Sequence, residues 1–262
     1  MNGRTSDVAG LVATFFGQAV AYFGVVGLVW LLVWKVFAAR LAGRKVPTPR
    51  PSDRAQLLHE VRYSLATLAF GTLGVVVISW LSEHGYARLS ANPADFSPGQ
   101  LALTFGGLLL LNDLWFYGFH RLLHTRWAFT HLHSVHHRSV EVTPFSSYSF
   151  HPLEGFLLGA WIYPVCLWVP IWLPMLAALQ ALGLANNVMS HLGYELWPAW
   201  LVRVPGLRWV NSATFHSLHH TRVNGNFGLM LRVWDRLLGT EVPGYDEVFR
   251  SVTKSGSSRR AP

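Results

Sequence analysis

The chain has 262 residues, of which 51% are apolar and only 13% charged, with 12 Trp and 16 Phe. A soluble domain carries charge on about a quarter of its residues, so this composition points to a membrane protein. The formal charge of +8 excludes little alone, but the basic residues flank the apolar runs and form no stripe, so nucleic acid is not expected as a partner. The single cysteine, Cys166, lies in an apolar run, has no partner for an internal disulfide and reads as packing.

Met1 to Asp7 is a short polar tail. Val8 to Trp34 contains no Asp, Glu, Lys, Arg or His and exceeds the roughly 20 residues needed to cross a hydrocarbon core. It is longer than the roughly 7–15-residue core of a secretory signal, and is expected to be a retained span with its N-terminus outside. Lys35, Arg40, Arg44, Lys45, Arg50 and Arg54 follow, which the positive-inside rule places in the cytoplasm. Pro47, Pro49 and Pro51 mark this stretch as a basic linker lying at the membrane surface.

Tyr63 to Ser82, also uncharged, crosses back, and the weakly positive stretch from Glu83 to Gly99 fits the outer side. Leu101 to Phe119, broken only by Asp113, returns. A helix continuing to His124 extends about 36 Å, more than the core thickness, so its last turns emerge on the cytoplasmic side.

Six of the thirteen histidines fall between Leu111 and His137. His120 and His124 are four apart, and His133, His136 and His137 are spaced i, i+3, i+4, so each set projects from one helical face. His216, His219 and His220 repeat the second spacing. Neutral imidazole suits zinc, copper, iron and nickel. Eight such ligands are too many for one ion with four to six positions, which favours two metals side by side. Asp113 lies about two turns before His120, with Tyr117 on nearly the same face. It is either an acceptor that orients a ligand imidazole or a structural carboxylate paired with Asn112 or a neighbouring helix.

From His137 to Gly155 the chain reads as loop, and Pro152 in the sequence His151-Pro-Leu-Glu154 argues against a helix running through His151. Gly155 to Ser190 is again uncharged. A single crossing would leave the last histidine set on the wrong side of the membrane, so the segment must enter and return as a hairpin, with Pro164, Pro170 and Pro174 supplying the break. At about 1.5 Å per residue it measures about 54 Å, short of two full crossings. Asn187 and His191, four apart, stand where the hairpin regains the cytoplasmic side, making His191 a ninth candidate ligand. Residues after Tyr245 turn polar and basic.

The fold class expected is therefore all-α: a multi-pass membrane helical bundle of about four spans, one of them a hairpin pair, with a cytoplasmic histidine-rich helical cap. Its parts are N-terminal spans and linker over 1–99, a catalytic domain over 100–245 and a polar tail over 246–262.

Asn112 to Thr240 resembles the fatty acid hydroxylase/sterol desaturase superfamily of membrane di-iron oxygenases. The ordered markers are HxxxH at His120, HxxHH at His133, HPLE at His151, HLGYE at His191, HSLHH at His216 and WDRLLGT at Trp234. The resemblance implies metal ligation by His120, His124, His133, His136, His137, His191, His216, His219 and His220. It leaves His151 with either a hydrogen bond near the site or a structural cap. Some relatives carry a histidine where Asn187 stands, so one metal is expected to have a thinner shell, with Asn187 binding weakly, through water or not at all. The cofactors implied are two iron ions, which zinc can replace in purified protein, with dioxygen as co-substrate. The partners implied are a lipid taken from the bilayer and a separate electron donor, cytochrome b5-like or ferredoxin-like, for which the basic linker is a docking surface. The competing classes are a membrane metal-ion transporter, which would place its ligands near the midplane, and a zinc-dependent hydrolase, for which HExxH is absent.

Overall fold

In a computed structural model, residues 8–255 are described. The first long helix, α1 (Val8–Trp30), runs on through a wider π turn over Leu31–Val36. The next two are α2 (Arg54–Glu83) and α3 (Pro98–Leu123). All three are long and apolar enough to cross a membrane, and α2 alone extends about 45 Å. Their outward side chains, among them Val8, Phe16 and Val20 of α1 and Leu103 and Leu110 of α3, are exposed, as lipid-facing residues are in an isolated chain.

The helix starts are written in the sequence. Asp53 accepts the N–H of Gln56 at 2.7 Å to begin α2. Ser97 and Gln100 cap each other's backbone ahead of α3, with Pro98 at its first position. Each such cap stabilises its helix by about 1 kcal/mol.

The segment after α3 carries the second histidine set through a short helix at Arg126–Ala128, a π turn at Phe129–His133 and one helical turn at Ser134–His137. The hairpin follows. Its entering arm is α4 (Pro152–Gly159) and α5 (Ile162–Trp168), and its returning arm is α6 (Leu173–Ser190). The turn falls at Val169 and Pro170, where Ile171–Trp172 pairs in parallel with Leu89–Ser90. Pro164 and Pro174 break nothing: each sits in the first turn of its helix, where the missing N–H has no intrahelical partner. The entering arm is interrupted instead at Ala160 and Trp161. Among the described residues three helices meet the length and apolarity of a span, and the hairpin is the fourth, paired element of the expected bundle.

Helix α7 (Ala213–Arg222) carries the third histidine set, and α8 (Tyr245–Ser255) packs against it. In place of the polar tail expected from residue 246, the chain is helix through Ser255. Tyr245, Phe249 and Val252, at helical spacing, are buried, and the first two join Leu201, Phe215 and Leu218 in one cluster. Residues 256–262 and Met1–Asp7 lie outside those described. The protein is thus an all-α membrane helical bundle.

The basic linker straps the histidine end. Arg44 donates to the carbonyls of Glu195 and Trp197 at 2.8 and 3.1 Å, Lys45 pairs with Glu141 at 2.9 Å, and the Ser52 N–H donates to Glu141 at 2.7 Å. Buried Glu60 of α2 accepts from Gln56, Ser139 and Thr143, fixing the loop that follows the second histidine set.

Candidate metal centre

Each histidine set is placed by a different element. His120 lies in the last turn of α3 and His124 caps it. The π turn at Phe129–His133 widens the backbone just before His136 and His137. Helix α7 is held at its N-terminus by Ser212, which accepts the Phe215 N–H at 3.2 Å, and by Glu195, which accepts the Thr214 N–H at 2.9 Å. Every residue from Ala213 to His220 is buried. The hairpin returns His191 to the same end of the bundle, as the C-cap of α6.

All nine predicted ligands converge, and they sort into two groups. His120, His124, His133, His137 and His219 form one; His136, His191, His216 and His220 form the other. Within each group one ring nitrogen per residue lies within 4.8 Å of all the others. Helix faces show in the division: the i, i+4 pairs His120/His124, His133/His137 and His216/His220 each stay together, and the middle residue of each HxxHH set, His136 or His219, joins the other group.

The contacts inside the groups are pairs of Nε2 atoms: His120–His133 at 3.1 Å and His137–His219 at 3.0 Å in the first, His136–His191 at 3.3 Å, His191–His216 at 3.0 Å and His216–His220 at 3.1 Å in the second. Nitrogens at right angles around an ion, each about 2.1 Å from it, are about 3.0 Å apart. The outer nitrogens show that two of these pairs, His120–His133 and His136–His191, are not hydrogen bonds. Nδ1 of His120 donates to the Phe227 carbonyl at 2.9 Å, that of His136 to Ser149 at 3.3 Å, that of His191 to Asn187 at 2.8 Å and that of His219 to Gly225 at 2.7 Å. His133 Nδ1 meets Glu154 Oε1 at 2.6 Å. A neutral imidazole with its proton on Nδ1 turns a lone pair inward at Nε2. Two lone pairs about 3 Å apart in a buried site need a cation between them. His124 adds to this: both its ring nitrogens are buried without a hydrogen-bond partner. The donor set therefore fits two metal ions held by nitrogen.

Burial keeps these rings neutral, the state a ligand needs. It pushes His124 down to about 2 and His137 down to about 3, each helped by neighbouring imidazoles. His191 is lowered to about 4, again chiefly by burial. His133, His136, His216, His219 and His220 are lowered well below the usual histidine range for the same reason.

The supporting residues depart from expectation. Asp113 orients no imidazole. Its carboxylate accepts the N–H groups of Met230 and Leu231 and the Trp234 indole N–H at 2.7, 3.3 and 2.7 Å, which is the structural alternative, with Trp234 supplied by the neighbouring short helix Val233–Leu237. Tyr117 bonds Thr240 at 2.9 Å. Asp235 of the WDRLLGT motif supports a ring of the group of five indirectly, through the backbone. It accepts from Thr240 and from the N–H groups of Phe227 and Gly228 at 2.7, 2.8 and 2.7 Å, thereby fixing the carbonyl that receives His120. His151 caps α4, its Nδ1 accepting the Leu153 N–H at 3.3 Å. Asn187 offers its backbone carbonyl to His191, and it lines the cavity beside the group of four.

That cavity, of about 10 Å³, is bounded by imidazoles of both groups and by Phe116, Phe150, Leu158 and Leu229. It has room for about one water-sized molecule. Glu154 of the HPLE sequence stands on its wall. The clue was present: a carboxylate in the first turn of a helix begun by a His-Pro pair.

Comparison with known proteins agrees with this centre. The Fatty acid hydroxylase family matches residues 105–240. The chain is 28% identical over 254 residues to a Delta(7)-sterol 5(6)-desaturase of Leptosphaeria maculans, covering 93% of this chain and 64% of that one. It is 29% identical over 191 residues to the lathosterol oxidase of Homo sapiens, covering 71% and 61%. With the very-long-chain aldehyde decarbonylase GL1-4 of Oryza sativa subsp. indica it shares 30% identity over 146 residues, covering 53% and 23%. The chain thus spans under two thirds of the length of these relatives. No solved structure matches it. The family match covers over half of the chain and takes in both histidine groups, and the chain belongs to the fatty acid hydroxylase/sterol desaturase superfamily.

Proposed function

We propose that this protein is a membrane-bound di-iron oxygenase that hydroxylates or desaturates an unactivated C–H bond of a lipid, using dioxygen and externally supplied electrons, with its active site facing the cytoplasm. The observation that carries this reading is the pair of groups of inward-turned, neutral Nε2 atoms beside one small cavity. Two irons bound there would supply the oxidising power, activating dioxygen. The nine imidazoles would hold them, five at one position and four at the other.

The chain's own residues do the rest. Carbonyls of Phe227, Ser149, Asn187 and Gly225 lock the tautomers of four ligands. Phe116, Phe150, Leu158 and Leu229 give the cavity an apolar wall with room for about one water-sized molecule, so a hydrocarbon reaches the centre only as these side chains turn aside. Hydroxylation balances as one C–H, one dioxygen, two electrons and two protons giving one alcohol and one water; desaturation removes two hydrogens and releases two waters. The electrons are expected from a cytochrome b5-like or ferredoxin-like donor meeting the basic strap. A transporter would string its ligands along a span, whereas these lie together at one end of the bundle.

The test is lipid extraction from cells expressing the protein under labelled dioxygen. The reading predicts a new lipid that either gains one labelled oxygen atom or loses two hydrogens, absent with His136→Ala and with His219→Ala. A lipid profile identical in wild type and both variants would overturn it.

A further inference from the structure

Five ligand imidazoles have a defined Nδ1 acceptor, and four of those acceptors are backbone carbonyls. The fifth is different in kind. His133 meets the Glu154 carboxylate at 2.6 Å, with both side chains at 1% exposure or less. A carboxylate behind an imidazole makes that ring a more basic, more electron-rich donor than a neutral carbonyl does, and fixes its plane as well.

Glu154 is placed by more than this one contact. It sits in the first turn of α4, where free backbone N–H groups favour negative charge against the burial that pushes its carboxyl well above the usual range. Its neighbour Gly155 packs so closely on α2 that a Cβ there would lie 2.6 Å from Thr67 Cγ2, and Thr67 in turn donates to the Phe150 carbonyl at 3.1 Å. The helix cannot shift without moving α2. The second oxygen, Oε2, is buried and has no hydrogen-bond partner, so the carboxylate's only polar contact from a side chain is His133. His133 belongs to the group of five, while the group of four faces Asn187 and has only carbonyls behind its imidazoles where acceptors are defined.

We infer that Glu154 is a positioning residue that makes the two metal positions unequal: acting through His133, it renders the five-histidine position the tighter-binding one. The inference rests on the two-metal reading above. The four-histidine position, with fewer ligands and no carboxylate behind them, binds its ion more weakly.

The test is titration of the metal-free, full-length protein in detergent with cobalt(II), following the visible absorption bands that report ligand geometry. Two steps are expected in the wild type. His124→Ala weakens the first and His220→Ala the second, which assigns them. Glu154→Gln, which keeps an acceptor for His133 but removes the charge, should weaken the His124-dependent step about 10–100-fold and leave the other within about twofold. Glu154→Asp, which keeps the charge but withdraws it by one methylene, should weaken the same step less, and it carries the test if the Gln variant fails to fold. Loss confined to the His220-dependent step, equal loss at both steps, or no loss at either would overturn the inference. Uptake of fewer than two ions by the wild type would instead overturn the two-metal reading.

Discussion

His124, His137 and His191 titrate far below an ordinary histidine because burial, first of all, makes the imidazolium costly; for His124 and His137 the neighbouring imidazoles add to it. In the unfolded chain the same residues take up protons near pH 6.5. Between that value and about 4 the unfolded state binds more protons than the folded one, so stability rises with pH through this window and falls as the solution is acidified. A thermal scan of the metal-free protein should give a Tm that is level from pH 8 to about 6.5 and declines steadily below it. A Tm unchanged between pH 7 and pH 5 would contradict the burial of these rings. Sequence spacing finds all nine converging histidines, and its i, i+4 pairs stay together, but which pairs share a group depends on which helix folds back on which, and spacing does not carry that. Nor does it reveal Glu154 or Asp235, whose roles depend on which loop folds back on which ligand.

At the scale of elements, each ligand-bearing segment is held from outside the site. Helix α7 shows this best. Its inner residues are histidines, so little apolar surface of its own keeps it in place, and α8 supplies Tyr245 and Phe249 against Phe215 and Leu218. The 246–262 stretch looked like a tail because its mean polarity is high, although Tyr245, Phe249 and Val252 recur at helical intervals. Phe249 is fully buried. Truncating it to alanine should cost about 3–5 kcal/mol of stability, read as a lowered Tm in detergent, and should weaken metal retention through His216, His219 and His220. Wild-type stability in Phe249→Ala would show that α8 does not support the site. The hairpin, by contrast, was legible: a metal site drawn from all three histidine sets requires Gly155–Ser190 to return to its starting side. Where it breaks was legible in part: Pro170 stands at the turn, whereas Pro164 and Pro174 lie in first turns, which are compatible with helix.

For the whole molecule, the apolar runs set three spans and a shorter hairpin, and the topology brings the ends of α3 and α6, the start of α2 and all of α7 to one place. The basic strap from Lys35 to Arg54 closes over that end through Arg44, Lys45 and Ser52. The result is a nitrogen-rich centre open toward an apolar cavity and tied down on its other sides. This arrangement suits oxidation of a lipid that enters from the bilayer. The central claim is that the nine imidazoles hold two coupled irons. Metal analysis with Mössbauer spectroscopy, on protein purified from cells grown on iron-57, tests it most directly. The account predicts close to two irons per chain and the spectrum of a coupled pair. Tight zinc with no iron, and no iron uptake by the metal-free protein, would contradict it.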